Sequence, residues 1–232
     1  MALTLAFDIY GTLINPHGVV SLLETMVGPE AQAVSNTWRS KQLEYTFRHG
    51  LMNAYVNFAV CTRQALDYAC AAHRIDLTPG QKDALLSRYR ELPAFADVGA
   101  SLARLAGDGH RLVAFSNGTA EAVHTLLRAA AIEARFDGVV SVDAVRTFKP
   151  APAVYAHLCE VTGSSPAQTW LISSNPFDVI GASSFGMKAA WVRRDSSAVF
   201  DPWDMEPDVV VGDLEELPAA LDGVSRDCDG AC

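Results

Sequence analysis

An apolar run at the start of the chain, Leu3-Thr-Leu-Ala-Phe7, ends on a carboxylate, Asp8, and a turn, Gly11-Thr12. A short run of this kind, apolar at nearly every position, reads as a strand buried on both faces, the kind found in parallel sheets covered by helices. The carboxylate then sits at the carboxyl end of a core strand, where open α/β sheets place their ligands. Two residues on stands Tyr10 rather than another acid. An acid at that spacing would suit metal-assisted phosphoryl transfer. An Asp followed by Tyr suits a carboxylate nucleophile working without a metal.

Further strand-like runs follow at 112–115, 139–142, 170–172, 189–192 and 209–211, separated by helix-like stretches near 97–107, 119–131, 151–162, 176–185 and 213–221. Strands alternating with helices imply right-handed crossovers and a parallel sheet. Between about 15 and 93 no strand-like run occurs. Apolar residues there recur at helical spacing, at Trp38, Leu43, Phe47, Leu51, Tyr55 and Phe58, then Ala65, Leu66 and Ala69, and Pro93 marks the return to the sheet. The expected architecture is a doubly wound, Rossmann-like α/β core over 1–14 and 94–232, with a helical cap over 15–93 inserted after the first strand.

Composition narrows the function. Half of the residues are hydrophobic and 19% are charged, as in a globular protein. A net charge of −9 argues against a nucleic-acid or anionic-membrane surface. No apolar run approaches the roughly 18 residues of a membrane span, and the start lacks a basic segment and h-region. A cytoplasmic protein is expected. Five cysteines, an odd number, fit a reducing compartment. Cys61 and Cys70 fall on apolar helical faces, whereas Cys228 and Cys232 lie in a polar tail expected to fray.

With this topology four segments converge on the strand ends: Asp8-Ile-Tyr-Gly-Thr12, Ser116-Asn-Gly118, Lys149-Pro150 and Ser173-Ser-Asn-Pro-Phe-Asp178. Ser116-Asn117-Gly118 offers a hydroxyl, an amide and backbone N–H groups to an anion at a helix start. Pro150 reads as a first-turn residue, with Lys149 pointing back to the strand ends. Each segment alone has a plain alternative, as a strand cap, a turn or a solvated lysine. Tyr10 and Phe58 could be core aromatics, and Arg39 and Lys41 the polar face of a helix. The histidines show no ligand spacing.

Taken in order, these motifs resemble the haloacid dehalogenase superfamily, and within it the L-2-haloacid dehalogenase branch. The runs Trp38-Arg-Ser-Lys-Gln-Leu-Glu-Tyr-Thr46 and Leu51-Met-Asn-Ala-Tyr-Val-Asn-Phe58, and Tyr155 after the Lys-Pro pair, extend the similarity over nearly the whole chain. The resemblance implies that Asp8 attacks the halogen-bearing carbon, forming an ester and releasing halide, and that water then frees a 2-hydroxy acid of inverted configuration. Arg39 accepts the halide, with Asn117 and Phe58 nearby. Ser116 and the amides around Ile9, Tyr10 and Asn117 hold the substrate carboxylate. Thr12, Lys149, Tyr155, Ser173, Asn175 and Asp178 position the nucleophile and the hydrolytic water, while Leu43 and Phe177 belong to the substrate wall. A small haloacid and a halide ion are the ligands, no metal or other cofactor is implied, and relatives commonly form homodimers through the cap.

Phe177 and Ser40 depart from the family, which often carries Trp and Gln there. Both changes are expected to reshape the substrate pocket, leaving halogen and chain length open and including a haloacetate preference. The alternative enzyme is a magnesium-dependent phosphatase acting on a small phosphoester. Tyr10 argues against it, as does the shortage of carboxylates around Asp178. A binding or scaffold protein would not require Asp8, Arg39, Lys149 and Asp178 together.

Overall fold

The computed structural model describes residues 2–229. Six parallel strands form one sheet in the order β3-β2-β1-β4-β5-β6: β1 (Thr4–Phe7), β2 (Arg111–Ser116), β3 (Gly138–Ser141), β4 (Thr169–Ser173), β5 (Lys188–Val192) and β6 (Val209–Val211). Each expected strand is present within about a residue of its expected limits. Leu5, Ala6, Phe7, Ala114, Phe115, Leu171 and Ile172 are fully buried, so the central strands read as unbroken apolar runs because helices cover both faces.

From β1 the chain winds outward through β2 and β3, then returns to lay β4 on the other side of β1. The order therefore reverses between β1 and β4, and ligand crevices form outside the carboxyl ends of strands at such a switch point. Phe7 is level with Ala114 and Ile172, so Asp8 emerges beside Phe115 and Ser173.

Helices α1 (Val20–Val27), α2 (Ala31–Leu51), α3 (Phe58–Ala72) and α4 (Pro79–Arg88) fill the interval between β1 and α5 (Val98–Gly107). The chain leaves and re-enters the sheet layer along one seam. There the Phe95 amide donates to the Leu13 carbonyl at 2.9 Å and the Asn15 amide to the Pro93 carbonyl at 3.1 Å. The remaining helices are α6 (Ala120–Ala129), α7 (Pro152–Thr162), α8 (Pro176–Ser184) and α9 (Leu217–Asp229). No helix among the described residues is long and apolar enough to cross a membrane.

The structure corrects several local expectations. The apolar periodicity from Trp38 to Phe58 spans two helices and the loop between them. α2 ends at Leu51, Tyr55 lies in the following loop, and Asn57 caps a new helix by accepting the Val60 amide. The buried face of α2 carries Val34, Trp38, Gln42 and Thr46, not Leu43, Phe47 and Leu51, and Leu51 is 86% exposed. Ser40 is exposed on α2. Pro150 follows a cis peptide bond rather than opening a helix; Pro152 holds the first turn of α7. The last helix begins at Leu217, not near 213, because Asp213 first accepts the Glu215 and Glu216 amides in a turn. Cys61 and Cys70 are buried as expected, whereas the side chain of Cys228 and all of Cys232 lie outside the described residues.

Candidate active site

At the switch point Asp8 receives donors from three directions. Lys149 Nζ donates to its Oδ1 at 3.1 Å, while Thr12 Oγ1 and Asn175 Nδ2 donate to its Oδ2 at 2.9 and 2.7 Å. Thr12 reaches back because Gly11, at φ +94°, turns the chain directly after the strand. A β-carbon at Gly11 would stand 3.1 Å from Ser174 Oγ, so the turn also needs the space. The Thr12 hydroxyl in turn accepts the Ser174 amide at 2.8 Å, which ties the β1 turn to the β4 turn.

Lys149 is 1% exposed and lies between two carboxylates, also donating to Asp178 Oδ2 at 2.8 Å and to the Phe115 carbonyl at 2.9 Å. Burial pushes its pKa down, but the carboxylates of Asp178 and Asp8 outweigh this and hold it above its ordinary value. Asp178, fully buried on α8, takes the Tyr155 hydroxyl on Oδ1 at 2.8 Å; burial pushes its carboxyl above the usual range, against the pull of Lys149. Tyr155 is buried on α7, with burial first and Asp178 second raising its phenol well above the ordinary value. This is a chain of charge-assisted hydrogen bonds, Tyr155–Asp178–Lys149–Asp8, in which each buried charge has a partner.

Arg39 enters from α2. Its Nη1 donates to Gln42 Oε1 at 2.7 Å, and its Nη2 donates to the Tyr10 carbonyl at 3.1 Å and to Asn175 Oδ1 at 3.5 Å. Asn175 thus links the guanidinium to Asp8. Tyr10 stacks on Tyr89 with ring centroids 5.4 Å apart and packs against Phe58 at 5.3 Å. Burial, and then Tyr89, push the Tyr10 phenol far above its usual value, so this position supplies a neutral ring and no carboxylate.

The other expected site residues serve partly as scaffolding. Ser116 Oγ accepts the Gly118 amide at 3.0 Å, Ser173 Oγ the Asn175 amide at 3.1 Å, and Asn117 Oδ1 the Lys149 amide at 3.0 Å. Ile9 is fully buried behind Asp8. Tyr10 and Phe58 line a cleft of about 380 Å³ with Tyr89, Arg90 and Gly118. Phe177 packs on Phe47 at 5.1 Å and lines a separate cleft of about 420 Å³ with Lys149, Phe148 and Trp203. Leu43, half-buried, lines neither. Among the described residues no group of three or more His, Cys, Asp or Glu side chains could hold a metal ion.

Three contributors escaped sequence reasoning: Ser174, Gln42 and Tyr89. Gln42 did leave a signal, being a polar residue three positions after Arg39 and four after Trp38, on the stripe that is buried. Tyr89 left none, since only the fold brings it to α2.

A family model described as haloacid dehalogenase-like hydrolase matches residues 3–186. Haloacetate dehalogenase H-2 of Moraxella sp. (strain B) is 37% identical over 213 residues, 92% of this chain and 95% of that protein. (S)-2-haloacid dehalogenase of Pseudomonas sp. (strain YL) is 35% identical over 213 residues, 92% of this chain and 91% of that protein. The solved structure of L-2-haloacid dehalogenase from Xanthobacter autotrophicus with chloropropionic acid covalently bound superposes with a TM-score of 0.88 at 32% identity, covering 96% of this chain and 99% of that one.

Proposed function

Because the chain belongs to the haloacid dehalogenase-like hydrolases, we propose that it hydrolyses short L-2-haloalkanoic acids, or haloacetates, to 2-hydroxy acids. The observation that carries this reading is the wiring of Asp8. Asp8 is buried, at 8% exposed, yet its carboxylate is met by an ammonium, a hydroxyl and an amide, and Asn175 links it to a guanidinium. A carboxylate is a weak nucleophile in water and gains from desolvation with fixed orientation. The likeness to (S)-2-haloacid dehalogenases and to a covalently bound chloropropionic acid complex supports the same chemistry.

Two donors hold Oδ2, whereas Oδ1 has the single, longer contact to Lys149, so Oδ1 keeps the more available lone pair and attacks. The Oδ1–Cα bond forms as the carbon–halogen bond breaks, and the electron pair leaves with the halide. Arg39 stabilises the charge that gathers on the halide, with Asn117 and Phe58 completing its surroundings. Ser116 and the amides of Ile9, Tyr10 and Asn117 hold the substrate carboxylate. Water then adds to the carboxyl carbon of the ester, held by Thr12, Ser173, Asn175, Lys149, Tyr155 and Asp178. The Asp8 carboxylate is regenerated, and a 2-hydroxy acid of inverted configuration and a proton are released.

Residues 15–93 act as a cap that excludes water from this site, on the support of the paired seam at 13–15 and 93–95. The reaction runs in the cytoplasm without a metal: Lys149 Nζ already stands between the two carboxylates, and Tyr10 adds no acid. A phosphatase would need both. The chain works as a homodimer, and the exposed Leu51, Met52, Val60 and Tyr68 of the α2–α3 segment offer apolar surface for a second copy. The test is halide release from L- and D-2-chloropropionate, chloroacetate and fluoroacetate with EDTA present. Release from the L-isomer or a haloacetate is expected. Magnesium-dependent phosphate release with no halide would overturn the assignment.

A further inference from the structure

Resting on that reading, we infer that Gln42 is the positioning residue for Arg39, and that it orients the guanidinium without neutralising it. Gln42 lies fully buried on α2. Its Oε1 accepts Arg39 Nη1 at 2.7 Å and the Tyr89 hydroxyl at 3.0 Å, and its Nε2 donates to Thr62 Oγ1 at 2.7 Å. The orientation of this amide is decided by its partners. A guanidinium carries only donors, so the amide oxygen must face it. The Thr62 hydroxyl gives its one proton to the Phe58 carbonyl at 2.8 Å, so it can only accept from the amide nitrogen. Trp38 Nε1 pins the same turn by donating to the Thr62 carbonyl at 2.8 Å. A flipped amide would set N–H against N–H on one side and leave two acceptors facing on the other.

The second half of the inference concerns charge. Among the described residues Arg39 has no carboxylate partner; it donates to the oxygens of Gln42, Tyr10 and Asn175, all neutral. A neutral acceptor fixes the guanidinium while leaving its positive charge for an anion. A carboxylate at position 42 would fix it equally well and quench that charge. Tyr89 secures the arrangement from behind, since its ring stacks on Tyr10 and packs against Trp38 at 5.3 Å while its hydroxyl holds the Gln42 oxygen. The network therefore joins the halide-accepting cation to the aromatic wall.

Leaving-group dependence separates positioning from general stability. Chloride departs less readily than bromide and concentrates charge more, so it relies more on a well-aimed cation. In Gln42→Leu, kcat for 2-chloropropionate should fall on the order of ten- to a hundredfold with KM changing less, and by several-fold more than kcat for 2-bromopropionate. Gln42→Glu should show the same skew through neutralisation. Tyr89→Phe, which keeps the ring, should show a smaller skew of at least about twofold, and serves if the Gln42 variants do not fold. In an Arg39→Lys background, Gln42→Leu should add little. With an active wild type, an unchanged chloride-to-bromide ratio in the folded Gln42 variants, or in Tyr89→Phe if neither folds, overturns the inference, as does an undiminished loss in the Arg39→Lys background. A wild type that releases neither halide overturns the underlying reading, and the inference with it.

Discussion

Replacing Lys149 with Met removes the ammonium between Asp8 and Asp178 while keeping most of the stem volume. Two carboxylates, on side chains 11% and 0% exposed, then face each other without a cation, where contacts of 3.1 and 2.8 Å had compensated them. Breaking a buried ion pair by deleting one partner costs about 3–5 kcal/mol, chiefly through the charge left unpaired. Thermal unfolding should fall by roughly 6–20 °C at about 2–4 °C per kcal/mol for a chain of this size. Part of that cost is relieved by proton uptake on the carboxylate pair. Burial already holds the Asp178 carboxyl above the usual range, and losing the Lys149 ammonium that pulls it down raises it further, so the acidic limb of the halide-release profile should move to higher pH. The alkaline side has the opposite sign. Lys149 is held above its ordinary 10.5, so its stabilisation is complete below that pH and is lost as pH rises through the higher folded value. Wild-type stability should show this alkaline loss and Lys149→Met should lack it. A variant within about 1 kcal/mol of wild type in urea unfolding, with an unmoved acidic limb, would refute the reasoning.

Thr12→Val removes a hydroxyl that donates to Asp8 at 2.9 Å and accepts the Ser174 amide at 2.8 Å. The orphaned groups should cost about 1–3 kcal/mol in chemical denaturation, and steady-state kinetics should show a lower kcat with KM nearly unchanged. Gly181→Ala tests the packing behind the site: an added β-carbon would lie 2.6 Å from Pro150 Cβ and collide with the Tyr155 hydroxyl. Calorimetry should register about 1–3 kcal/mol of destabilisation, despite the better helix propensity of alanine.

The sheet was legible because both-face burial leaves unbroken apolar runs, and because the hydrogen-bonding residues cluster where those runs end. Asp8, Lys149 and Asp178 were legible for the same reason, each standing next to a turn at a strand end or helix start. The α2 region was not. Its buried face carries Gln42 and Thr46, polar residues that hydrogen-bond inward, so apolar periodicity pointed instead to Leu43, Phe47 and Leu51 on partly or fully exposed faces. Tyr89 and Ser174 act across the fold, joined to Gln42 and Thr12 by tertiary contacts that no local pattern encodes. The Lys149-Pro150 pair was given the wrong local geometry, since the helix-opening proline is Pro152.

The central claim is that Asp8 itself becomes the ester, and a single turnover in heavy-oxygen water tests it directly. With enzyme in excess over L-2-chloropropionate, the hydroxyl oxygen of the product should come from Asp8 and be unlabelled. The peptide containing Asp8 should gain one heavy oxygen by mass spectrometry. A labelled first-turnover product with an unlabelled Asp8 would mean that water attacks the substrate carbon directly, contradicting the account.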